Sequence, residues 1–239
     1  MIVLACETST LLGSVAIIEN DKILAFEESP RQGSHSDVLN VFIERTLLKA
    51  QKKLTDIDVF ASGIGPGSFT GIRISLNTVK TLAYCFNKPV LGINSLNVLA
   101  AQCSVFNSAD NFSSLPIVAM INAYKNMVYI ATYRTEKGEL IETKSPEVIR
   151  VQNLESYITR KSVVSGDGFN TYVKYFSERL LENCVRIPDL PDEPHAQMLG
   201  LLAAKKTLVA HPWNQLLPLY LRASEAEENL LGIKFQPIL

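Results

Sequence analysis

The sequence predicts an α/β protein built from two duplicated lobes, each with the element order βββαβα. A pattern of three strands over residues 2–28 returns over residues 117–144. In both places a helix, a strand, a glycine-containing turn and a further helix follow the three strands. A repeated order of elements at long spacing indicates duplication. Chance similarity between two α/β halves is the alternative, and the agreement in order argues against it.

The first repeat is defined by its residue pattern. Apolar runs broken by the polar turn Asn20-Asp21 predict three strands within residues 2–28. A helix is predicted from about Ser34 to Lys53, followed by a strand Val59–Ile64 and a helix from about Thr70 to Phe86. These elements form the leading lobe.

The second repeat follows at a constant offset, since Ile2 matches Ile117 and 117 − 2 = 115. Helices are predicted around Asn153–Arg160 and Asn170–Leu181, on either side of a strand that begins at Val163. The polar stretch 106–114 marks a boundary between an N-terminal lobe, residues 1–110, and a C-terminal lobe with its tail, residues 111–239. This order is expected of a ribonuclease-H-like unit duplicated into an actin-like ATPase fold.

Composition narrows the class of protein. The 239 residues carry a net charge of −1, so any contact with RNA must come from a local patch rather than a global field. The four cysteines are scattered without a CxxC pair, which is typical of a reducing compartment. The sequence shows no secretion leader and no membrane-spanning run. We therefore expect a cytoplasmic protein without a membrane partner.

The most unusual stretch is the glycine-rich turn at residues 65–73, GPGSFTGIR. Ile72 stands where a Walker loop needs lysine, and the third glycine of a dinucleotide fingerprint is missing. One interpretation is a tight corner between strand and helix, with Ser68 or Thr70 capping the helix. The other is direct phosphate binding at the helix start, and we favour the first.

Six short motifs are spread along the chain: Gly65–Arg73, Glu7-Thr8-Ser9, His35-Ser36-Asp37, Val128-Tyr129, Gly166-Asp167-Gly168 and Pro218–Arg222. With this set the chain resembles the TsaB (YeaZ) family. The resemblance implies the actin-like fold and a part in adding threonylcarbamoyl to the adenosine next to the anticodon in tRNAs that read A-starting codons. It also implies pairing with the catalytic paralogue TsaD, participation of the ATPase TsaE, and contact with tRNA through the complex. Association with a second copy, as a homodimer, is open.

The resemblance places the partner contact on the first two helices. Their apolar and uncharged residues spread beyond the stripe of about 100° that one sheet covers. The alternative is that other parts of the same chain cover both helices. The predicted interface positions are His35, Leu39, Phe42, Ile43, Thr46 and Leu47 in the first helix, and Arg73, Ile74, Asn77, Thr78, Thr81 and Tyr84 in the second.

We predict a non-catalytic subunit that requires no cofactor. TsaD holds its metal with two histidines one helical turn apart, but Leu39 stands four residues after His35 here, so no metal site is predicted. ATP or ADP binding is left open, with Glu7, Thr8, Ser9, Gly166 and Gly168 as the candidate nucleotide-binding residues. Asn122, at the position that matches Glu7, cannot supply a negative charge.

Two rival functions are an actin-like ATPase or sugar kinase that acts alone, and a metallopeptidase. Neither a G-x-S-x-G nor an HExxH motif is present to support peptidase chemistry. The apolar run at residues 230–239 docks either on its own core or on a partner, and the sequence leaves both open.

Overall fold

The computed structural model describes residues 1–29, 35–107, 114–205 and 209–232. These residues form two compact units, one of Met1–Val98 with Glu193–Leu219 and the other of Leu99–Asp192 with the C-terminal segment from Tyr220. Each unit is built on one five-stranded sheet. None of the helices within the described ranges has the length and apolar character needed to cross a membrane.

The first unit contains the first sheet, with strand order β3-β2-β1-β4-β5. Strands β1, β2 and β3 are antiparallel, whereas β4 and β5 run parallel to β1. Its elements are β1 (Ile2–Glu7), β2 (Ser14–Glu19), β3 (Lys22–Glu28), α1 (His35–Ala50), β4 (Val59–Gly63), α2 (Phe69–Phe86), β5 (Val90–Ile93), the start of α3 (Ser95–Asn107) and, after the excursion through the second unit, a helix Ala196–Ala204 that is labelled α7 below.

Both faces of this sheet are covered by helices. Alternate strand residues such as Leu4 and Phe60 pack against α1 and α2 on one face. Their neighbours, such as Val3 and Ala61, pack against α7 on the other face. Side chains of successive strand residues point to opposite faces, so the nearly continuous apolar runs of β1 and β4 are expected for a sheet buried on both sides.

The second unit repeats the arrangement, with strand order β8-β7-β6-β9-β10. Its elements are the rest of α3, β6 (Ile117–Asn122), β7 (Met127–Glu136), β8 (Glu139–Arg150), α4 (Leu154–Tyr157), β9 (Ser162–Ser165), α5 (Asp167–Tyr172), α6 (Glu178–Asn183), β10 (Cys184–Val185) and, after α7, α8 (Glu225–Leu230). Strand β6 is antiparallel to β7 and parallel to β9. The predicted duplicated actin-like α/β fold is thus confirmed, with a fifth strand in each sheet that the sequence analysis did not predict.

The repeat offset is not constant. Ala5 pairs with Ala16 in the first hairpin, so an offset of 115 would pair Met120 with Ala131. Instead Ala119 pairs with Ala131, because the hairpin connection is one residue shorter in the second repeat. The residue identities at an offset of 115 therefore do not all correspond to structurally equivalent positions in the two repeats.

The compact units also differ from the predicted division at residue 110. Residues 193–219 belong to the first unit, because Ala196, Leu199 and Ala203 of α7 pack in the core on the face of the first sheet opposite α1 and α2. Residues 99–107, which the predicted division also places in the N-terminal lobe, belong to the second unit. Most of the predicted linker, residues 108–113, lies outside the described residues.

The helices of the second repeat are shorter than predicted. The helix expected around 153–160 is α4, Leu154–Tyr157, which follows a short 3₁₀ turn. The helix expected around 170–181 is divided between α5 and α6. Ser177 starts α6 as its N-cap, accepting a hydrogen bond from the Leu180 amide, so the chain begins a new helix there.

Candidate functional site

Helix α1 does not offer most of the surface that the sequence predicts. Five of its predicted interface residues are buried in the core of this chain: Leu39, Phe42, Ile43, Thr46 and Leu47. The Thr46 hydroxyl donates to the Phe42 carbonyl within the helix. The prediction that these side chains are exposed is wrong, because α1 packs across β2 and β3 and also contacts α2, so a wide arc of the helix is covered. The His35 side chain lies outside the part of the chain that the structure describes.

The exposed side of α1 carries different apolar residues. Val41 and Leu48 are exposed, Leu48 to 71%. They are seven residues apart and therefore lie on the same side of the helix. Charged residues flank them, and one of these, Lys49, pairs with Glu27 of β3.

Helix α2 presents the predicted outward stripe. Its predicted core residues Ile72, Leu76 and Val79 are buried against the sheet. On the other side, Asn77, Thr81 and Tyr84 are exposed, as is Arg73 near the helix start, which lies 5.9 Å from the Phe69 ring.

The two remaining α2 positions are intermediate. Thr78 is partly exposed, and Ile74 is half-buried and packs against the core of its own unit. The helix is well defined at both ends. Ser68 caps its start, and Asn87, in the left-handed region with φ 50°, donates its amide to the Ala83 carbonyl at its end. The stripe is therefore presented on a fixed element.

A segment after α7 flanks α2, and we call this segment, His211–Leu219, the edge strap. His211 exchanges two backbone hydrogen bonds with Val90 of β5, each 2.9 Å long. The Lys80 ammonium of α2 donates to the Leu216 carbonyl at 3.1 Å. The Tyr84 and Trp213 rings meet edge to face, with centroids 5.4 Å apart. The sequence analysis missed most of this segment: it named Pro218 and Leu219 within a family motif but not Trp213, the single tryptophan of the chain.

The glycine-rich turn is a packed corner. The Ser68 amide donates to the Ser9 carbonyl at 2.7 Å, and the Thr8 hydroxyl donates to the Gly71 carbonyl at 2.7 Å. A Cβ at Gly71 would lie 1.9 Å from the Thr8 carbonyl oxygen, so only glycine permits this approach. Ser68 Oγ accepts from the Gly71 amide, as the capping interpretation predicts. Thr8 and Ser9, two of the candidate nucleotide-binding residues, are buried in this corner.

Glu7, the candidate acid, is buried at the end of β1. Its carboxylate accepts hydrogen bonds from the Ser9 amide at 2.7 Å and from the Ser95 hydroxyl at 3.0 Å. A Cβ at Gly63 would lie 2.0 Å from its Oε2 atom, so glycine leaves the space that the carboxylate fills. Burial raises the pKa of Glu7, against the lowering effect of its hydrogen bonds. The carboxylate is thus engaged inside its own unit.

The glycines of the second unit are also in close contact with backbone. A Cβ at Gly166, whose φ is +115°, would lie 2.0 Å from the Met120 carbonyl oxygen, and one at Gly168 would lie 3.0 Å from the same atom. The Gly166 amide donates to Asp192 at 3.1 Å, and Asp192 is paired with Arg186. The backbone amide of Gly166, which could otherwise donate to a phosphate, is therefore already bonded to the Asp192 carboxylate.

Asn122, the counterpart of Glu7, has a structural environment of its own. The backbone amide of Asn122 donates to the Asp167 carboxylate at 2.9 Å. Its side-chain oxygen accepts from the Tyr124 amide at 2.8 Å and from the Tyr172 hydroxyl at 3.1 Å. The structure places the candidate nucleotide residues in different compact units, with Glu7, Thr8 and Ser9 in the first and Gly166 and Gly168 in the second.

A buried ion cluster anchors the segment after Tyr220 to the β6–β7 turn. Glu228, which is 2% exposed, pairs with Arg222 through both carboxylate oxygens and with Lys125 at 2.8 Å. Arg222 also donates to the Ala123 carbonyl. Burial alone would raise the pKa of Glu228, but the hydrogen bonds and charges of Arg222 and Lys125 outweigh it, so the pKa is lowered.

Comparison with known proteins shows which sequences and structures this chain is similar to. The family model described as "TsaD: tRNA N6-adenosine threonylcarbamoyltransferase" matches residues 29–230. The tRNA threonylcarbamoyladenosine biosynthesis protein TsaB of Escherichia coli K12 is 29% identical over 97% of this chain and 99% of its own length. YeaZ from Pseudomonas aeruginosa superimposes with a TM-score of 0.73 at 28% identity, covering 92% of this chain and 99% of that structure.

Part of the chain is also similar to a threonylcarbamoyltransferase. The tRNA N6-adenosine threonylcarbamoyltransferase of Dictyoglomus turgidum is 38% identical over 112 residues, which are 40% of this chain and 34% of that protein. Since the family model covers most of the chain and the full-length likeness is to TsaB and YeaZ, the chain belongs to the threonylcarbamoyltransferase (TsaD) family and, within it, to the TsaB (YeaZ) group.

Proposed function

We propose that this protein takes part in forming threonylcarbamoyladenosine in tRNA, as a non-catalytic subunit that pairs with a TsaD-related catalytic partner. The names of its relatives support the pathway. The likeness to part of a threonylcarbamoyltransferase supports a partner built on the same fold. Four further points stay predictions: participation of TsaE, formation of a homodimer, contact with tRNA through the complex, and a cytoplasmic location.

The observation that carries the pairing proposal is the outward face of α2. Asn77, Thr81 and Tyr84 form an exposed, uncharged stripe on a helix with 18 residues, and Arg73 and Lys80 lie at the margin of this stripe. A solvated helix face normally carries charged residues, whereas the centre of a protein interface is depleted of them. Short polar side chains also let a second helix approach closely. This face is therefore suited to contact with protein rather than with water.

The non-catalytic part of the proposal is supported by the two turns. Glu7 is buried and accepts two hydrogen bonds inside its own unit. Its counterpart Asn122 has no charge, and its amide is bound to Asp167. An acid that holds a hydrated cation has to face solvent or nucleotide. Under the rival proposal of an autonomous ATPase or kinase, the isolated protein would turn over ATP.

The test is pairing with the purified partner on size exclusion. Thr81→Arg places a long charged side chain on the exposed stripe, so we expect a folded protein that no longer co-elutes with the partner. Thr159→Arg, at an exposed position of the second unit, is the matched control and should co-elute normally. Leu39→Glu is unsuitable as an interface variant, because Leu39 is buried and a charge there would destabilise the fold.

Reconstitution of tRNA modification tests the role itself. Product formed by the partner should depend on this subunit and should be lost with Thr81→Arg but not with Thr159→Arg. Equal product without the subunit would refute the activator proposal. Normal co-elution of Thr81→Arg would refute the assignment of the α2 face.

A further inference from the structure

The outward stripe of α2 is too small to hold a partner alone. From Ile74 to Tyr84 the helix rises about 15 Å, and at a width of about 10 Å this strip has a footprint of roughly 150 Å². An equal strip on α1 around Val41 and Leu48 would bring the total to roughly 300 Å². A stable specific interface buries about 800 Å² on each partner. Because five of the six predicted α1 residues are buried in the core of this chain, a neighbouring element is needed to bring the interface to that size.

The edge strap, His211–Leu219, supplies suitable area beside α2. Trp213 is 40% exposed, Leu217 is 68% exposed, and Tyr84, whose ring meets Trp213, is 66% exposed. The Tyr84 and Trp213 rings are in contact, and Leu217 follows Trp213 by four residues on the same strap, so large apolar side chains are exposed on neighbouring elements, as is typical of interaction sites. Tryptophan and tyrosine are the side chains most often found at the energetic centre of an interface.

The strap is fixed in place rather than loosely attached. It is tied to β5 by the His211–Val90 backbone pair, to α2 by Lys80, and to the end of β4 by the Leu219 amide, which donates to the Ile64 carbonyl at 2.8 Å. A patch that is already ordered loses little conformational entropy when it binds.

Charge agrees with a protein partner. Neither α2 nor the strap contains an aspartate or glutamate. A partner surface that is apolar or mildly acidic would therefore meet no like charge here, whereas a strongly basic one would gain nothing.

We propose that the edge strap is a third element of the partner-binding surface and that the Tyr84–Trp213 pair is its anchor, occupied by the same TsaD-related partner. This rests on the proposed function and extends it from the helices to the strap. The partner covers the two rings together with Leu217 when it packs on α2.

The single tryptophan permits a direct test in the full-length protein. Fluorotryptophan incorporated into this chain gives one fluorine resonance, from Trp213, which can be followed by NMR while unlabelled partner is added. We expect the resonance to shift and to lose its sensitivity to deuterated solvent as the complex forms. Trp213→Ala should raise the Kd for the partner at least about tenfold. Tyr175→Ala, an exposed aromatic position of the second unit, should leave the Kd within about twofold.

The outcomes separate this inference from the proposed function. If the partner binds and Thr81→Arg blocks binding, but the Trp213 resonance and the Kd of Trp213→Ala do not change, the strap proposal is wrong and the α2 proposal stands. If no complex forms with the unaltered protein, both are wrong. A resonance that shifts with the concentration of this chain alone would assign the patch to a second copy and overturn the choice of occupant.

Discussion

Replacing Arg222 by alanine should destabilise the second unit severely. Arg222 Nε and Nη2 donate to the two oxygens of Glu228, at 2.5 and 2.8 Å, and Nη1 donates to the Ala123 carbonyl. The substitution removes all three hydrogen bonds and leaves a carboxylate that is 2% exposed. Breaking a buried ion pair from one side costs about 3–5 kcal/mol. Since Lys125 stays within 2.8 Å of Glu228 and keeps part of the compensation, we expect a loss of about 2–4 kcal/mol.

The cluster also holds an unfavourable turn. Tyr124, Lys125 and Asn126 all have positive φ, 58°, 49° and 61°. Three successive non-glycine residues in the left-handed region are costly, at about 1–2 kcal/mol each. Arg222 bonds to the carbonyl just before this turn, and Lys125 within it bonds to Glu228. Loss of the guanidinium should therefore loosen the β6–β7 turn first.

The assay is urea unfolding followed by circular dichroism, with hydrogen exchange to locate the change. The matched control is Arg134→Ala in β7, which removes an exposed pair with Glu136 at 3.1 Å and should cost at most about 1 kcal/mol. Adding Glu228→Gln to Arg222→Ala should recover part of the loss, because the unpaired charge is gone. The reasoning is refuted if Arg222→Ala costs no more than Arg134→Ala, or if exchange at the β6–β7 turn is unaltered.

Two further predictions concern the corner of the first unit. Gly71→Ala should cost about 2 kcal/mol or more, since its Cβ would lie 1.9 Å from the Thr8 carbonyl oxygen. The control Gly138→Ala meets no atom within 4 Å and should cost only the strain of φ +80°, about 1 kcal/mol. Equal urea midpoints for the two variants would contradict the close approach at Gly71. Glu7→Gln should remove a pH dependence. Because burial raises the folded-state pKa of Glu7, its contribution is fully present below the unfolded pKa of about 4.3 and is lost as pH rises toward the folded value, by at most about 1.4 kcal/mol per pH unit. The stability of Glu7→Gln relative to the unaltered protein should therefore improve from pH 5 to pH 8, and parallel curves would show that Glu7 is ionised in the fold.

Local sequence signals predicted the first unit well. The strand predicted at Val59–Ile64 is Val59–Gly63, and the helix predicted from Thr70 begins one residue earlier, at Phe69. Both follow from signals within a few residues, namely an apolar run and a serine cap. Helix α1 ends at Ala50 rather than near Lys53, because Gln51 adopts the left-handed region with φ 53°, which its residue type does not signal.

The strap and α7 could not be predicted in the same way. The segment from His211 to Leu219 has no periodic pattern. It is held by a few hydrogen bonds to Val90, Lys80 and Ile64, residues that are more than one hundred positions away in sequence. Helix α7 joins the first unit because its Leu199 fits against the first sheet, and a one-dimensional reading assigned it to the nearer lobe. Both are tertiary effects without a local signal.

The contrast between the two helices shows which property of a helix face indicates a partner. On α1 the apolar residues spread widely around the helix, yet most of them are buried, because the twisted sheet and α2 cover a broad arc. On α2 the informative residues are not apolar: Asn77 and Thr81 are polar, uncharged and exposed. Extra apolar residues are explained by any neighbouring element of the same chain. An exposed sector of uncharged residues is harder to explain by intramolecular packing, because Asn77 and Thr81 are exposed in the folded unit and water would favour charged residues there. A sector of exposed but uncharged residues is therefore the stronger argument for an interface, and the strap beside α2 also lacks aspartate and glutamate.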